Sequence, residues 1–314
     1  MLVRLFQPTT RCQHQCPECI LILSSCVVQL RKEISRLHFV ENRVRVAAVE
    51  PRVRLFWRFH HCVLQLQKEL AKSSNPDGKL IRSTATRCPD NFHMDWSYSK
   101  SQNNEDKYLL ENFLPALCNG LYVELGALNG VKYSNSHLYS HLLDYHGVLI
   151  EPTPSAFQEL TNNRPKDHLV NSAVCAQPGR VHFVDMNDDA VHGIWEFMSP
   201  SFRARWHNDV DLASMPKIAC QPLTAILDQS PLAGIHIDFL SLDVEGAELE
   251  VIKTLDLSRH QFGVIFYEAD NQNPQKDQDM KVHLEKRGYP FKKHVHGSNW
   301  HINAKWQDIY KGLL

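Results

Sequence analysis

The sequence predicts an α/β fold of the Rossmann-like type. In this fold a mostly parallel sheet carries helices on both faces. A C-terminal antiparallel hairpin closes it, and a helical N-terminal region precedes it. Three observations predict this. Short apolar runs alternate with helical patterns from residue 105 onward, as strand–helix–strand units with a doubly covered parallel sheet require. Several runs end on an acid or a glycine, at Glu124 and Gly126, at Glu151 and at Asp243. The final stretch, 291–305, reads as two strands around Gly297-Ser298-Asn299.

The elements follow in order. Residues 105–117 read as a helix and 121–125 (LYVEL) as a strand closing on glycines. Residues 136–145 are helical, 147–150 a second strand, 154–163 a helix opened by Pro154, and 168–170 a third strand. A short strand is expected at 181–184, and a loop or lid over 190–216. Then come a helix at 223–229, a strand at 237–242, a helix at 247–255, a strand at 263–268 and a helix at 276–287. Sheets of this kind bind ligands at the carboxyl ends of their strands, so the chemistry is sought there.

Before residue 96 the texture differs. Leu30, Ile34, Leu37 and Val40 share one helical face, and Val53, Phe56, Phe59, Val63, Leu66 and Leu70 share another. Residues 1–72 therefore read as a basic helical region, 73–95 as a polar linker, and 96–314 as the α/β domain. The chain is almost neutral at −1, which offers no field for nucleic acid. Residues 1–60 nevertheless carry +6, so this segment is the candidate for contact with an anionic membrane. The apolar run at 20–28 is too short to span a bilayer. It leaves entry into the secretory pathway open. Cys12, Cys16 and Cys19 have the spacing of a cluster-binding or zinc-binding loop, without the fold that a radical enzyme would need. Cys62, Cys88, Cys118, Cys175 and Cys220 are scattered. Their spacing gives no disulfide framework, and those of the α/β region are read as small buried hydrophobes.

Three motifs carry chemistry. Glu124-Leu125-Gly126-Ala127-Leu128-Asn129-Gly130 places an acid and two glycines between a strand and a helix. Leu128 breaks the dinucleotide spacing. The pattern fits the acid-x-Gly-x-x-x-Gly loop that holds S-adenosylmethionine (SAM), where the acid can draw the amino group. Glu151 ends the next strand, where a carboxylate accepts from ribose hydroxyls. Asp243 and Glu245 end the strand at 237–242, and Gly246 allows a close turn into the next helix. These acids are the candidates for a general base, acting directly or through a metal. No residue is assigned as a metal ligand. His192 and His207 are alternative bases in the expected lid. Ser172 and Ala173, just past the third strand, are taken as further cofactor contacts.

The ordered set SQNNED (101–106), ELGALNG (124–130), SNS (134–136), LIEPTP (149–154), LDVEGAE (242–248) and FYEAD (266–270) resembles the FkbM-type methyltransferases. The likeness covers nearly all of the chain after the linker. It implies a class I methyltransferase fold, with a seven-stranded sheet and a reversed last strand. It also implies SAM as cofactor and, for many members, O-methylation of a sugar or small-molecule hydroxyl. Glu124, Gly126, Ala127 and Gly130 match the cofactor loop, Ser134 and Asn135 the residues just after it, Glu151 the ribose-binding acid, and Asp243 and Glu245 the fourth-strand acids. Asn129 stands where an acid is common, and Ser136 where threonine is common. The family includes Star-like animal members associated with membrane traffic, so the resemblance also implies a non-catalytic adaptor as the alternative.

Overall fold

The computed structural model describes residues 82–184, 193–198, 200–269 and 273–314. The N-terminal region, its three closely spaced cysteines, the basic membrane-contact candidate, residues 73–81 of the expected linker and His192 lie outside the described residues.

The chain enters through β1 (Thr86–Arg87), runs through α1 (Glu105–Asn112), and returns as β2 (Leu117–Cys118), antiparallel to β1. It then alternates through β3 (Leu121–Leu125), α2 (His137–Leu142), β4 (His146–Ile150), α3 (Pro154–Asn163) and β5 (His168–Val170). Next come β6 (Ala173–Val174), β7 (Gly179–Val184), β8 (Gly193–Ile194), α4 (Pro200–Trp206) and β9 (Lys217–Gln221). The last third contains α5 (Leu223–Gln229), β10 (Ile237–Leu242), α6 (Glu248–Lys253), β11 (Phe262–Glu268), α7 (Pro274–Glu285), β12 (Phe291–Val295), β13 (Ser298–Ile302) and α8 (Trp306–Ile309).

The main sheet has seven strands in the order β12-β13-β11-β10-β3-β4-β5. β3, β4, β5, β10 and β11 are parallel. β13 runs antiparallel between β11 and β12. This is the expected sheet with its reversed strand and C-terminal hairpin. β3 and β10 are buried along their whole length, which is why their sequences are largely apolar without a polar face of alternate residues. Tyr122, Phe239, Phe266 and Trp300 stack in turn across four neighbouring strands, with centroids 5.4, 6.2 and 4.3 Å apart. The edge strand β12 keeps Lys292, Lys293 and His294 exposed, and such charges discourage another chain from pairing there.

At the amino ends of the strands, Asp238 is fully buried. It accepts from Ser83 Oγ (2.5 Å), the Leu121 amide (2.7 Å) and the Tyr310 hydroxyl (2.8 Å). One carboxylate thus ties the first and last described segments to the two central strands. Burial raises its pKa, and the three donors hold it in place.

Three expectations are corrected. Residues 82–95 are part of the α/β unit and not of a linker, because a compact unit spans Arg82–Leu314. Ser83 and β1 hold that stretch by hydrogen bonds. The cysteines of this unit are not merely small hydrophobes: Cys88 is bonded to Cys118, and Cys175 to Cys220. Their partners lie 30 and 45 residues apart in sequence, and only strand pairing brings them together. Finally, the expected lid at 190–216 contains β8, a 3-10 turn (Trp195–Phe197) and α4. With β6, β7 and β9 it builds a second, four-stranded sheet. That sheet packs around Ala173, Cys175, Val181, Phe183, Ile218 and Cys220.

Replacing Cys88 or Cys175 by Ala is expected to cost about 2–4 kcal/mol of stability, because each bridge restricts the unfolded chain. Urea unfolding of oxidised and reduced protein checks this. Reduction opens both bridges and should bring the parent below either oxidised variant.

Candidate functional site

The order of the main sheet reverses between β3 and β10, which makes their carboxyl ends the topological switch point. A cavity of about 400 Å³ opens there, within the range of small-molecule sites. Glu124, Gly126 and Leu128 line it from β3 and its loop, Glu151 from β4, and Ser172 and Ala173 from the segment after β5. Asp243, Glu245 and Glu268 line it from β10 and β11. The small sheet contributes Phe183 and Ile194, with the half-exposed rings of Tyr133 and Trp206 at the mouth.

Gly126 has φ +75°, and a Cβ there would lie 1.8 Å from the Asp243 carbonyl oxygen. Only glycine lets the loop pass so close to the end of β10. The amides of Gly126 and Ala127 both bond the Ile150 carbonyl, at 3.1 and 3.3 Å. Gly130 has a different reason. A Cβ there would meet Arg164 Cγ at 2.4 Å and Leu160 Cδ1 at 2.6 Å. Gly130 therefore makes room for packing behind the loop, and neither it nor Ala127 lines the cavity. Leu128, Tyr133 and Glu245 all line the cavity with positive φ (45°, 60° and 54°). Backbone strain of this sort gathers where a site constrains the chain.

Glu124 is almost wholly buried. One carboxylate oxygen accepts from the Asn135 amide at 2.6 Å, and the other from the hydroxyls of Ser134 (2.9 Å) and Ser136. Both hydroxyls in turn accept from Arg164, at 3.2 and 2.9 Å. Burial pushes the Glu124 pKa up, while Arg164 and the hydrogen bonds pull it down. This acid folds the 134–136 segment as well as facing the cavity, and Ser134 acts from behind the wall.

Arg164, at the end of α3, is fully buried. It also bonds Asp167 (2.9 Å), the Gly130 carbonyl (2.9 Å) and the Tyr122 hydroxyl. Sequence reasoning missed it, because a lone arginine after a polar helix end reads as a surface charge.

Glu151 accepts from the Leu128 amide and the Thr153 amide, each at 2.8 Å. Two backbone donors thus hold its carboxylate in place. Ser172 bonds backbone carbonyls at 2.8 and 3.3 Å and so anchors the wall that Ala173 continues.

The acids at the ends of β10 and β11 gather closely. Oxygens of Asp243, Glu248 and Glu268 all lie within 4.8 Å of one another. Burial raises the Asp243 pKa well above the ordinary range, and the charges of Glu268, Glu245, Glu248 and Glu105 raise it further. Glu248 is fully buried and ion-paired with Lys276 at 2.7 Å. Its other oxygen accepts from the Val244 and Gly246 amides at 3.2 and 3.1 Å, which sets the turn into α6. Glu268 and Glu248 were not singled out from the sequence. The strand-end criterion that selected Glu151 applies equally to Glu268. His207 is buried at the end of α4 and does not line the cavity.

These residues fit SAM. The Gly126 cradle admits close approach, the Glu151 carboxylate lines the cavity as an acceptor of the kind hydroxyls need, and the surplus of acids suits a cationic sulfonium. The Arg164 network should be costly to break. Arg164→Leu is expected to lose about 3–5 kcal/mol of stability, since it strands Asp167 in the interior. Urea unfolding at neutral pH measures this.

A comparison with curated proteins finds no match. Among solved structures, the chain is similar to precorrin-6y C5,15-methyltransferase from Geobacter metallireducens (15% identity, 68% of this chain and 93% of that one, TM-score 0.33). It is also similar to a human methyltransferase 10 domain containing protein (12%, 76% and 94%, TM-score 0.36). A SAM dependent methyltransferase from Aquifex aeolicus is a third (12%, 67% and 99%, TM-score 0.33). The family model described as the methyltransferase FkbM domain matches residues 124–291, from the acid of the cofactor loop to the first residue of β12. The match covers more than half of the chain, and the protein belongs to the FkbM methyltransferase domain family, whose cofactor is SAM.

Proposed function

We propose that the protein transfers the methyl group of SAM to a hydroxyl oxygen of a sugar or other small-molecule acceptor. One observation carries the reading. Asp243, an acid whose pKa burial and neighbouring carboxylates raise, stands beside the cofactor loop at the switch point of the sheet. An elevated pKa makes a carboxylate a better acceptor for a hydroxyl proton.

When bound, SAM supplies an electrophilic methyl group. The chain's own residues do the rest. Glu151 accepts from the ribose hydroxyls. Gly126 and Leu128 lie along the cofactor, with Asn135, Ser172 and Ala173 completing the walls. Ala127, Gly130 and Ser134 shape the loop from behind. Asp243 takes the acceptor's proton, with Glu245 beside it. Tyr133 and Trp206 offer aromatic faces at the mouth, suited to the apolar face of a ring-shaped acceptor.

Calorimetric titration of the full chain with SAM tests the cofactor half. Glu151→Ala is expected to weaken binding by roughly tenfold to a hundredfold, the worth of hydrogen bonds to a charged group. Absence of SAM binding by the parent would remove the reading. A panel of glycan and small-molecule hydroxyl acceptors with methyl-labelled SAM tests the rest. Asp243→Asn should lower turnover by about 10²–10⁴ with SAM binding retained. For the parent, kcat/KM should fall on acidification as Asp243 gains its proton. That fall should begin above the pH at which an ordinary carboxylate titrates.

A further inference from the structure

The main cavity adjoins a second, much smaller one of about 10 Å³, room for a single water or ion. Glu105, Asn135, Ser241, Asp243, Glu268 and Ser298 line it. Two of its acids, Asp243 and Glu268, have oxygens within 4.8 Å of each other and of Glu248, which stands outside the lining. Like charges this close disfavour one another unless a cation lies among them. Lys276 is held on Glu248, on the α6 side of the group.

A second observation is independent of the acids. Asn135 is only 8% exposed, and its Oδ1 is buried with no hydrogen-bond partner. The other end of its amide donates to Ser241 Oγ at 2.9 Å. Its backbone amide is pinned to Glu124, so the side chain is fixed in place. A buried polar atom left without a partner asks for an explanation. An amide oxygen accepts and does not donate, and ionised carboxylates do the same. Only a donor or a cation satisfies the Asn135 oxygen. Carboxylates plus an amide oxygen are the ligand set of hard divalent cations.

We propose that Asp243, Glu268 and Asn135 Oδ1 hold a hard divalent cation of the Mg²⁺ or Ca²⁺ kind. Glu248 stands beside them, held back by Lys276. The binding depends only on these residues. Its use rests on the methyl-transfer reading: bound to Asp243, the cation would orient an acceptor hydroxyl and make its proton easier to remove, and the base role and pH profile given above for Asp243 then belong to the metal-free chain.

The test is binding of MnCl₂ to the chelator-stripped full chain, read by electron paramagnetic resonance of free Mn²⁺. MgCl₂ and CaCl₂ are titrated by calorimetry alongside. The parent should bind one Mn²⁺ per chain at this site. Asp243→Asn, Glu268→Gln and Asn135→Ala should each weaken it tenfold or more. Mn²⁺ should raise the melting temperature of the parent and leave that of Asp243→Asn unchanged. Should that variant fail to fold, Glu268→Gln, which preserves size and shape, decides the matter. No Mn²⁺ binding by the parent, or equal binding by Glu268→Gln, would overturn the site. Titrating SAM into the same samples separates the two readings. Mn²⁺ binding without SAM binding keeps the cation site and removes methyl transfer. SAM binding without Mn²⁺ binding does the reverse.

Discussion

Glu124 and Arg164 never touch, yet the cofactor side of the cavity depends on their meeting through two serine hydroxyls. A carboxylate and a guanidinium are both removed from water, at a cost that only close pairing and full hydrogen bonding repay. The repayment is geometric. Ser134, Asn135 and Ser136 must lie where the two charges can share them. Tyr122, Gly130 and Asp167 must supply the remaining partners of the guanidinium. The loop from 126 to 136 is thereby drawn onto β3 without secondary structure of its own over most of its length. Hydrogen bonds in such a network strengthen one another in a poorly polarisable interior.

The opposite wall is built differently. Between β5 and β10, where a simpler α/β sheet would place one crossover helix, the chain inserts a small sheet closed by Cys175–Cys220. It has its own apolar centre and brings Phe183, Ile194 and the Trp206 ring to the cavity. The cofactor side is thus held by buried charge, and the far wall by apolar packing and a covalent bridge. Between them stand the acids of β10 and β11, which are repelled by one another and held there by the strands that deliver them.

Much of this was legible in the sequence. β3, β5 and α3 lie where the apolar runs and Pro154 placed them, because a covered strand is mostly apolar and its few polar residues, such as Glu124, must find hydrogen bonds. The switch-point acids were legible for the same reason: Glu151 and Asp243 interrupt apolar runs at the position where a strand ends. What escaped detection depends on distance through space. Cys88 and Cys118 show no disulfide spacing, and their pairing follows from β1 lying against β2. Gly126 and Gly130 look equivalent in sequence, but one clears a carbonyl and the other an arginine. Glu268 stood in a quoted motif without a role, since its closeness to Asp243 comes from the register of β10 on β11. The small sheet escaped because its strands are short and partly exposed, so their apolar runs are weak.

The contact of Gly126 with Asp243 has one more consequence. With the glycine backbone pressed on the Asp243 carbonyl, and the Asp243 amide bonded to the Leu125 carbonyl at 3.3 Å, the cofactor loop and the acid strand form one rigid jaw. Neither half shifts without the other, and close-packed interiors transmit displacement instead of absorbing it. A jaw of this kind is preorganised, which favours reaction over accommodation. The small sheet and α4 line the cavity from the other side. Trp206 and Tyr133, both half-exposed, line it as well.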